Sequence, residues 1–250
     1  MMATVGGSSA ATGTSPVPAA AGKVIIVTGA TGPVGRALVP LLLASNATVV
    51  ASSRSADRLG KLSRRCEEMV GTPSIALETV VSDLRDQQAA SLLVDGVLDS
   101  YGRVDAVFHL VGGWSSGGVT GFDPDTLSQM MSDQVLPVAN MSTAALDALT
   151  ASGGRFITVS TPAASDPQAD NTLYASVKVA CEAWVRGLAA AFTGSDASAS
   201  MLLVSAVLTE RFAAANPDRD FTGWTPDHLL ARKLAETLGT NYINGIGILV

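Results

Sequence analysis

The 250-residue sequence is poor in cysteine, histidine and charge. Cys66 and Cys181 are too few for a disulfide framework, and His109 and His228 lack the neighbouring cysteines of a zinc site. We therefore expect reduced thiols and no metal site. Charged residues make up only 15% of the chain, against about 25% in an average globular protein. A chain this apolar is expected to bury its strands on both faces.

Excess positive charge is also missing. The 22 acidic residues outnumber the 16 basic ones, so the formal net charge is −6. This balance argues against binding to nucleic acids or anionic membrane surfaces, which depends on basic patches. Apolar runs are short: the longest candidate, residues 38–44, contains Pro40, whereas a membrane helix needs about 20 apolar residues. We expect a small-molecule substrate and neither a nucleic-acid nor a membrane partner.

Residues 1–22 contain no charged side chain and consist mostly of Ala, Gly, Ser, Thr and Pro. Such a segment buries too little apolar surface to offset its ordering entropy, so we expect a disordered N-terminal tail. It lacks the basic and apolar regions of a secretory signal. Organelle targeting stays open as an alternative, although the segment has no arginine; otherwise the expected location is the cytoplasm.

Strand and helix patterns alternate from Lys23 to the end of the chain. Short β-branched runs predict buried strands, and runs with helical periodicity lie between them. This alternation predicts a single α/β domain over residues 23–250, a doubly wound Rossmann-type fold with a seven-stranded parallel sheet and helices on both faces. The predicted strands are 24–27, 48–51, 75–81, 104–111, 156–160, 201–207 and 246–250, and the predicted helices are 34–44, 56–69, 86–101, 124–149, 172–192 and 226–238.

The first predicted strand runs into a glycine-rich turn, residues 28–35, and a helix follows. Glycines let backbone N–H groups approach a pyrophosphate, and the helix N-terminus adds partial positive charge. The spacing is G-x-x-G-x-x-G, and its position after the first strand favours dinucleotide binding over a simple tight connection. The expected cofactor contacts in this turn are Gly29, Thr31, Gly32, Pro33, Val34 and Gly35.

The end of the second predicted strand indicates which dinucleotide binds. Folds that select NAD usually place an acidic residue there for the ribose 2′-hydroxyl, but this chain has Ser52-Ser53-Arg54. A guanidinium pairs well with a phosphate, so Ser53 and Arg54 favour NADP(H) over NAD(H). The alternative is that Arg54 is an ordinary solvated side chain. Asp83, after the third strand, is either an adenine contact or a plain loop aspartate.

Residues 174–178 read Tyr-Ala-Ser-Val-Lys. In a helix, Tyr174 and Lys178 share a face. An ammonium near a phenol favours the phenolate, so we expect a tyrosine pKa below about 10 and a usable proton donor. Thr161, which follows the fifth strand, is expected to hold a substrate oxygen beside the tyrosine. The alternative is an ordinary amphipathic helix.

These features together resemble the short-chain dehydrogenase/reductase family over roughly residues 23–250. The resemblance rests on the glycine turn, Ser82-Asp83, Val111-Gly112-Gly113 and the Y-x-x-x-K pair. It implies that Tyr174 donates a proton and that Lys178 holds the nicotinamide ribose and tunes the tyrosine. It also implies that Thr161, or Ser160 in its place, polarises the substrate carbonyl, and that the protein is a homodimer or homotetramer. Further cofactor contacts implied by the resemblance are Leu84, Val111, Gly112, Gly113 and Thr209.

The sequence departs from the family pattern at three places. Residue 110 is a leucine, which cannot make the side-chain hydrogen bonds usual after the fourth strand. Gln134 stands where an asparagine usually supports a proton relay, and Pro137 is expected to kink its helix and free a backbone carbonyl. Ser205-Ala206 replaces a usual Pro-Gly pair. Gln134 is therefore a candidate catalytic residue in an altered setting.

A narrower resemblance points to the dihydropteridine-reductase-like branch, through Gly112-Gly113-Trp114 and residues 216–226. The substrate of that reductase is a quinonoid dihydropterin. Trp114 is expected either to stack on a flat substrate ring or to pack beneath a lid. Residues 209–225 are the expected lid, and its Phe212 and Trp224 indicate an aromatic or apolar pocket. Against this branch, that reductase prefers NADH and carries an acid at the end of the second strand.

The function expected from the sequence is hydride transfer from NADPH to a carbonyl or imine, with Tyr174 as proton donor. A quinonoid dihydropteridine reductase is one alternative. A non-catalytic NADP(H)-binding sensor or assembly subunit is another, motivated by the altered positions 110, 134 and 205–206. The retained Tyr–Lys pair argues against it, because binding alone needs no proton donor. His109 is expected to be a hydrogen-bonded core histidine.

Overall fold

Seven parallel strands form one sheet in the computed structural model of this chain, which describes residues 15–70, 76–239, 244–245 and 247–249. The strands of the described residues are β1 (Val24–Thr28), β2 (Thr48–Ser53), β3 (Leu77–Val81), β4 (Ala106–His109), β5 (Arg155–Ser160), β6 (Ser198–Leu203), β7 (Val207–Leu208), β8 (Thr225–Pro226) and β9 (Gly247–Leu249). The large sheet has the order β3-β2-β1-β4-β5-β6-β9, and β7 pairs with β8 separately. The predicted seven-stranded parallel sheet is confirmed.

Helices cover both faces of the sheet, as predicted. They are α1 (Pro33–Ala44), α2 (Ala56–Val70), α3 (Gln87–Tyr101), α4 (Pro124–Met130), α5 (Leu136–Ser152), α6 (Thr172–Ala191), α7 (Glu210–Ala215) and α8 (Asp227–Glu236). Side chains of α1, α2 and α8 form one apolar cluster with the sheet, and those of α3, α5 and α6 form another. The fold is thus a three-layer α/β sandwich.

The central strand β1 shows why an uninterrupted apolar run predicts this fold. All five of its residues are buried. Ile25 and Val27 face the cluster of α1, α2 and α8, whereas Val24 and Ile26 face the cluster of α3, α5 and α6. Fully burying one such side chain contributes about 1.5–3 kcal/mol. Because β1 has β2 on one side and β4 on the other, the chain changes direction across the sheet here, which opens a crevice at the carboxyl ends of β1 and β4.

The single helix predicted over residues 124–149 is divided in the structure. A π-helical turn, Met131–Val135, separates α4 from α5, and the N–H of Leu136 bonds to the Met131 carbonyl five residues back. Pro137, which has no N–H, lies in the first turn of α5. The interruption therefore falls where Pro137 predicts it, but as a π-helical turn, a feature often found at functional sites.

Residues 15–22 differ from the disordered tail expected over residues 1–22. Pro18–Ala20 form a 3-10 turn, and Val17 and Ala20 are buried in the cluster of α1 and α8. The Val17 N–H donates to Ser45 Oγ at 2.8 Å. The prediction was wrong for residues 15–22. It rested on the composition of the whole segment 1–22, in which the few apolar side chains that become buried, such as Val17, are outnumbered by small residues. Residues 1–14 lie outside the described residues.

Candidate active site

The glycine turn after β1 is shaped by two close backbone approaches. Gly29 has a φ of +67°, and a Cβ there would lie 2.6 Å from the carbonyl carbon of Leu110. A Cβ at Gly35 would lie 2.6 Å from the Cα of Ala30, because α1 packs directly on the turn. Gly32 is the N-cap of α1 and supplies no side-chain cap. The N–H groups at this helix end therefore suit an anion such as a pyrophosphate.

A cleft lies at the carboxyl ends of β1 to β4, where the topology predicts a ligand. Many of the cofactor contacts predicted from the sequence line it: Gly29, Thr31, Gly32, Ser53, Arg54, Asp83, Leu84, Val111 and Gly112. The lining also includes Ser52, Ser55, Arg58, Ser82, Arg85, Leu110, Asp133 and Pro137. Thr31 and Ser53 are hydrogen-bonded through their hydroxyls at 2.8 Å, which ties the glycine turn to the end of β2.

The remaining predicted cofactor contacts are not part of the cleft lining. Pro33, Val34 and Gly35 form the first turn of α1. Gly113 lies one residue beyond the lining and accepts a hydrogen bond from Gln134 through its carbonyl. Thr209 is the N-cap of α7, and its Oγ1 accepts the N–H of Phe212. Lys178 reaches the site from α6, as described below.

Three ion pairs cross one end of the cleft. The guanidinium of Arg85 bonds the Asp83 carboxylate through Nε and Nη2, at 3.0 and 2.5 Å, and this holds the pKa of Asp83 below its ordinary value. The Nη1 atoms of Arg54 and Arg85 each lie 3.5 Å from Asp133 Oδ1. The adenosine end of the expected cofactor site therefore carries more charged groups than Arg54 and Asp83 alone.

Tyr174 and Lys178 share one face of α6, as their spacing predicts. Lys178 Nζ lies 5.7 Å from the centre of the Tyr174 ring. Lys178 is only 8% exposed, and its Nζ donates to the Val159 carbonyl at 3.4 Å. A Cβ at Gly112 would lie 3.5 Å from Lys178 Nζ and 3.5 Å from Gln134 Oε1. The ammonium therefore lies between the cleft wall at Gly112 and the phenol.

The pKa of the phenol differs from the expectation. Burial raises the pKa of Tyr174 to about 12, and burial lowers the pKa of Lys178. The pKa of Tyr174 is therefore raised by burial, contrary to the expectation that the Lys178 ammonium would lower it. Tyr174 is a neutral phenol at pH 7, which is the form that can donate a proton.

The two candidate hydroxyls are in different environments. Thr161 is 3% exposed, and its Oγ1 accepts a backbone N–H two residues along the chain. The hydroxyl hydrogen of Thr161 is thereby left to point toward another acceptor. Ser160 instead donates to Glu182 Oε1 at 2.6 Å, and the other oxygen of this buried carboxylate accepts from Arg186 at 2.7 Å. Because the hydroxyl of Ser160 already donates its hydrogen to Glu182, Thr161 is the better candidate for a hydrogen bond to the substrate.

Gln134 and His109 are buried beside this site. Gln134 lies on the π-helical turn and its Nε2 donates to the Gly113 carbonyl at 2.9 Å. His109 Nδ1 lies 2.9 Å from Thr28 Oγ1, and burial lowers the pKa of His109 to about 3. His109 is therefore a neutral, hydrogen-bonded core histidine, as expected. Gln134 Oε1 and His109 Nε2 have no hydrogen-bond partner among the described groups.

The expected lid has its own aromatic cluster. Phe212 and Trp224 stack with ring centres 5.5 Å apart, and Phe221 meets both rings edge-on. The Arg219 guanidinium lies 5.0 Å from the Trp224 ring centre. Trp114, in the loop after β4, is 70% exposed. Of the three predicted substrate contacts, Trp114 is thus open to a ligand, whereas Phe212 and Trp224 pack against each other.

Sequence reasoning missed several charged neighbours of the site. Arg58 and Arg85 line the cleft shortly after the carboxyl ends of β2 and β3, the positions at which ligand contacts concentrate in this type of sheet. Glu182 follows Lys178 at i+4, so helical spacing alone predicts its place on the same face. No sequence pattern predicts that Asp133 lines the cleft, because the π-helical turn determines where its side chain points.

Within the described residues, no three His, Cys, Asp or Glu side chains come close enough to hold a metal ion. In the same part of the chain, no helix is long and apolar enough to cross a membrane. Cys66 and Cys181 are free thiols, and burial raises the pKa of Cys66 to about 11. The cysteines therefore contribute no reactive thiolate at neutral pH.

Comparison with known proteins agrees with this architecture. An uncharacterized oxidoreductase from Staphylococcus aureus is 23% identical over 196 residues, which cover 78% of this chain and 82% of the relative. A short chain oxidoreductase from Pseudomonas aeruginosa PAO1, described as containing an atypical catalytic center, has a TM-score of 0.82 at 18% identity and covers 91% of this chain and 95% of its own. An alcohol dehydrogenase from Thermococcus sibiricus, complexed with 5-hydroxy-NADP, has a TM-score of 0.79 at 21% identity, with 91% and 95% covered.

The structural likenesses establish the fold, and the family comparison goes further. Residues 23–220 match the short chain dehydrogenase family. The match begins at the residue before β1 and includes the glycine turn, the cleft and the Tyr174–Lys178 pair. Since this segment is most of the chain, the protein belongs to the short chain dehydrogenase family of NAD(P)(H)-dependent oxidoreductases.

Proposed function

We propose that this protein is an NADPH-dependent reductase that transfers hydride to a carbonyl or imine of a small aromatic or apolar substrate. Tyr174 is its proton donor. The observation that carries the proposal is the place of Lys178, whose buried Nζ lies between the cleft wall at Gly112 and the Tyr174 ring. A protein that only bound a dinucleotide would have no need of this arrangement.

The residues of the cleft fit a dinucleotide. Gly29 and Gly35 leave no room for a side chain because the backbones of Leu110 and Ala30 pack against them, which keeps the turn tight beside the N-terminus of α1. The uncapped N-terminus of α1 adds partial positive charge. Asp83 and Leu84 line the part of the cleft expected to hold the adenine. When bound, the nicotinamide supplies the hydride.

Proton transfer is the work of the protein side chains. Tyr174 Oη donates its proton to the substrate oxygen or nitrogen as negative charge develops there. The neighbouring Lys178 ammonium, 5.7 Å from the ring centre, favours the phenolate that remains and so offsets part of the cost of burial. Thr161 donates its free hydroxyl hydrogen to the same substrate atom and fixes its position. Gln134 is a positioning residue, because it holds the carbonyl of Gly113 at the wall of the site.

The preference for NADP(H) is supported by basic groups at the end of β2. Arg54 and Arg58 both line the cleft, and β2 ends in Ser53 rather than in an acidic residue. Guanidinium groups bind phosphates in a two-pronged manner that a ribose hydroxyl cannot use. We therefore propose Ser53 and Arg54 as contacts of the ribose 2′-phosphate.

A quinonoid dihydropterin is a second candidate substrate. Its support is Trp114, which is 70% exposed in the loop after β4 and presents a face to which a flat ring can stack. This candidate would place the protein in the dihydropteridine-reductase-like branch of the family.

The expected assembly is a homodimer or homotetramer in the cytoplasm. The assembly is supported by two apolar side chains that α6 leaves accessible, Val179 and Trp184, each 44% exposed. Analytical ultracentrifugation tests this expectation, and a monomer at micromolar concentration would contradict it.

The test of the catalytic proposal compares Tyr174→Phe with wild type across carbonyl, imine and quinonoid-pterin substrates. We expect NADPH oxidation to fall at least 10³-fold, an order of magnitude consistent with loss of a general acid, while NADPH binding stays within about twofold. The matched control is Tyr101→Phe, since Tyr101 lies on α3 and bonds Glu78. Wild type that binds NADPH without any turnover would instead favour a non-catalytic sensor.

The test of cofactor choice is Arg54→Ala. We expect NADPH binding to weaken about tenfold or more and NADH binding to change little, because a charged phosphate contact is lost. Arg65→Ala, an exposed change on α2, is the control. Equal losses for NADPH and NADH would contradict the NADP(H) assignment.

A further inference from the structure

Arg54 faces the cleft with a loosely held guanidinium. Its side chain is 61% exposed, and among the described residues the carboxylate within ion-pair distance of it is that of Asp133, at 3.5 Å. Strong charge-assisted hydrogen bonds are shorter, about 2.7–2.9 Å. A better-placed anion can therefore take over the guanidinium of Arg54.

Arg85 is held much more firmly. Its guanidinium bonds Asp83 through two nitrogens, and its remaining Nη1 lies 3.5 Å from Asp133 Oδ1. The second oxygen of Asp133 accepts a hydrogen bond from Gln129 Nε2 at 2.8 Å. Asp133 is thus held by Gln129 at the preceding helical turn, whatever Arg54 binds, and Arg85 lies no closer to it than Arg54 does.

We propose that Asp133 is a specificity-determining residue that competes with the cofactor 2′-phosphate for Arg54 and so limits the preference for NADP(H). The inference rests on the proposed use of NADP(H). A phosphate monoester carries about −1.5 to −2 charges at pH 7. A phosphate on Arg54 must share that guanidinium with the Asp133 carboxylate, which repels it, whereas the neutral 2′-hydroxyl of NAD(H) is not repelled.

Replacing Asp133 with asparagine removes the repulsion but keeps the size of the side chain. For charges of −1 and about −2 roughly 6 Å apart at a solvated surface, partly screened by salt, the change corresponds to about a three- to tenfold gain in affinity. The gain should be specific for the 2′-phosphate and should shrink as salt is raised. It should also be smaller when Arg54 is absent, because the phosphate is then no longer held close to Asp133.

The experiment measures calorimetric binding of 2′,5′-ADP and 5′-ADP to the full chain, at low and high salt. The variants are Asp133→Asn, Asp133→Ser, Arg54→Ala and the Arg54→Ala/Asp133→Asn double variant. The control is Asp147→Asn, an exposed carboxylate on α5 away from the cleft. Thermal melts establish that each variant is folded, and the serine variant tests the charge change if asparagine alters the π-helical turn.

We expect Asp133→Asn and Asp133→Ser to bind 2′,5′-ADP three- to tenfold more tightly at low salt and 5′-ADP within about twofold of wild type. An unchanged or weakened 2′,5′-ADP affinity in both, while Arg54→Ala selectively weakens 2′,5′-ADP, would overturn the role of Asp133 and leave the NADP(H) preference standing. Equal weakening of both nucleotides by Arg54→Ala would instead overturn the NADP(H) proposal. A gain in the Arg54→Ala/Asp133→Asn double variant, relative to Arg54→Ala, that is as large as the gain in Asp133→Asn would also overturn competition for Arg54.

Discussion

Gly29 and Gly22 have nearly the same backbone conformation but different surroundings, which makes them a matched pair for mutation to alanine. Their φ values are +67° and +72°. A Cβ at Gly22 would have nothing within 4 Å, whereas a Cβ at Gly29 would lie 2.6 Å from the carbonyl carbon and oxygen of Leu110 and 2.9 Å from the N of Val111. The difference between the two alanine variants therefore isolates the cost of the close approach.

The expected magnitudes follow from two separate costs. Placing alanine at positive φ costs about 1–2 kcal/mol at either site, and the gain from a less flexible unfolded chain is common to both. At Gly29, the segment after β4 must also shift by several tenths of an ångström, and overpacking of this kind costs about 1–3 kcal/mol. We expect Gly22→Ala to lose about 1 kcal/mol of unfolding free energy and Gly29→Ala about 2–4 kcal/mol.

Urea titrations measure this difference directly, and in thermal melts it corresponds to about 2–4 °C per kcal/mol for a chain of this size. Because the displaced segment at residues 110–111 forms the cleft wall, Gly29→Ala should also weaken binding of 2′,5′-ADP, while Gly22→Ala should not. Equal stability losses at the two positions would refute the steric argument. Normal nucleotide affinity in a destabilised Gly29→Ala would refute the link between this turn and the site.

Buried polar groups give three further predictions. Burial lowers the pKa of His109 from 6.5 to about 3. Below pH 6.5 the unfolded chain therefore takes up a proton at His109 that the native protein does not. The unfolding free energy should fall by about 2–3 kcal/mol between pH 6.5 and 4.5. In urea titrations, the unfolding free energy of His109→Gln should not show this fall with pH. If the variant and the wild type show the same fall, the effect does not come from His109. Glu182→Ala leaves the buried hydroxyl of Ser160 without its acceptor, so chemical denaturation should show a loss of about 1–3 kcal/mol. Glu182→Gln keeps the size of the side chain and an oxygen that can accept from Ser160, so it should lose less, and equal losses would argue that charge rather than packing matters. Thr161→Val should lower kcat/KM about 10²-fold by removing a donor to the substrate oxygen, whereas Thr161→Ser should retain most activity; a fully active valine variant would exclude this role.

The sheet and most helix positions could be predicted from the sequence because each depends on a local pattern. β1 is apolar at every position up to Thr28, and its burial from both faces requires this. α6 begins at Thr172 as its periodicity predicts. The Tyr174–Lys178 contact needs only a regular helix. Where one local rule decides the outcome, the sequence is sufficient.

The parts that could not be predicted depend on contacts between distant segments. The burial of Val17 requires the surface that α1 and α8 form together. The hydrogen bond from Ser160 to Glu182 joins β5 to α6 across 22 residues. The raised pKa of Tyr174 reflects its burial in the folded chain and not the charge of the lysine four residues along. None of these has a signature in the spacing of neighbouring residues.

The π-helical turn contains one of the altered family positions, Gln134, together with Asp133. It contains one residue more per hydrogen-bonded turn than an α-helix. Its adjacent residues make different contacts, because Asp133 lines the cleft whereas Gln134 is buried beside it. Asp133 meets the guanidinium of Arg54 at 3.5 Å, whereas Gln134 bonds the carbonyl of Gly113 beside Lys178. The same short segment therefore joins the charged end of the cleft to the loop beside the Tyr174–Lys178 pair. A glutamine at position 134 follows from this geometry, because its longer side chain reaches a loop carbonyl from the widened turn.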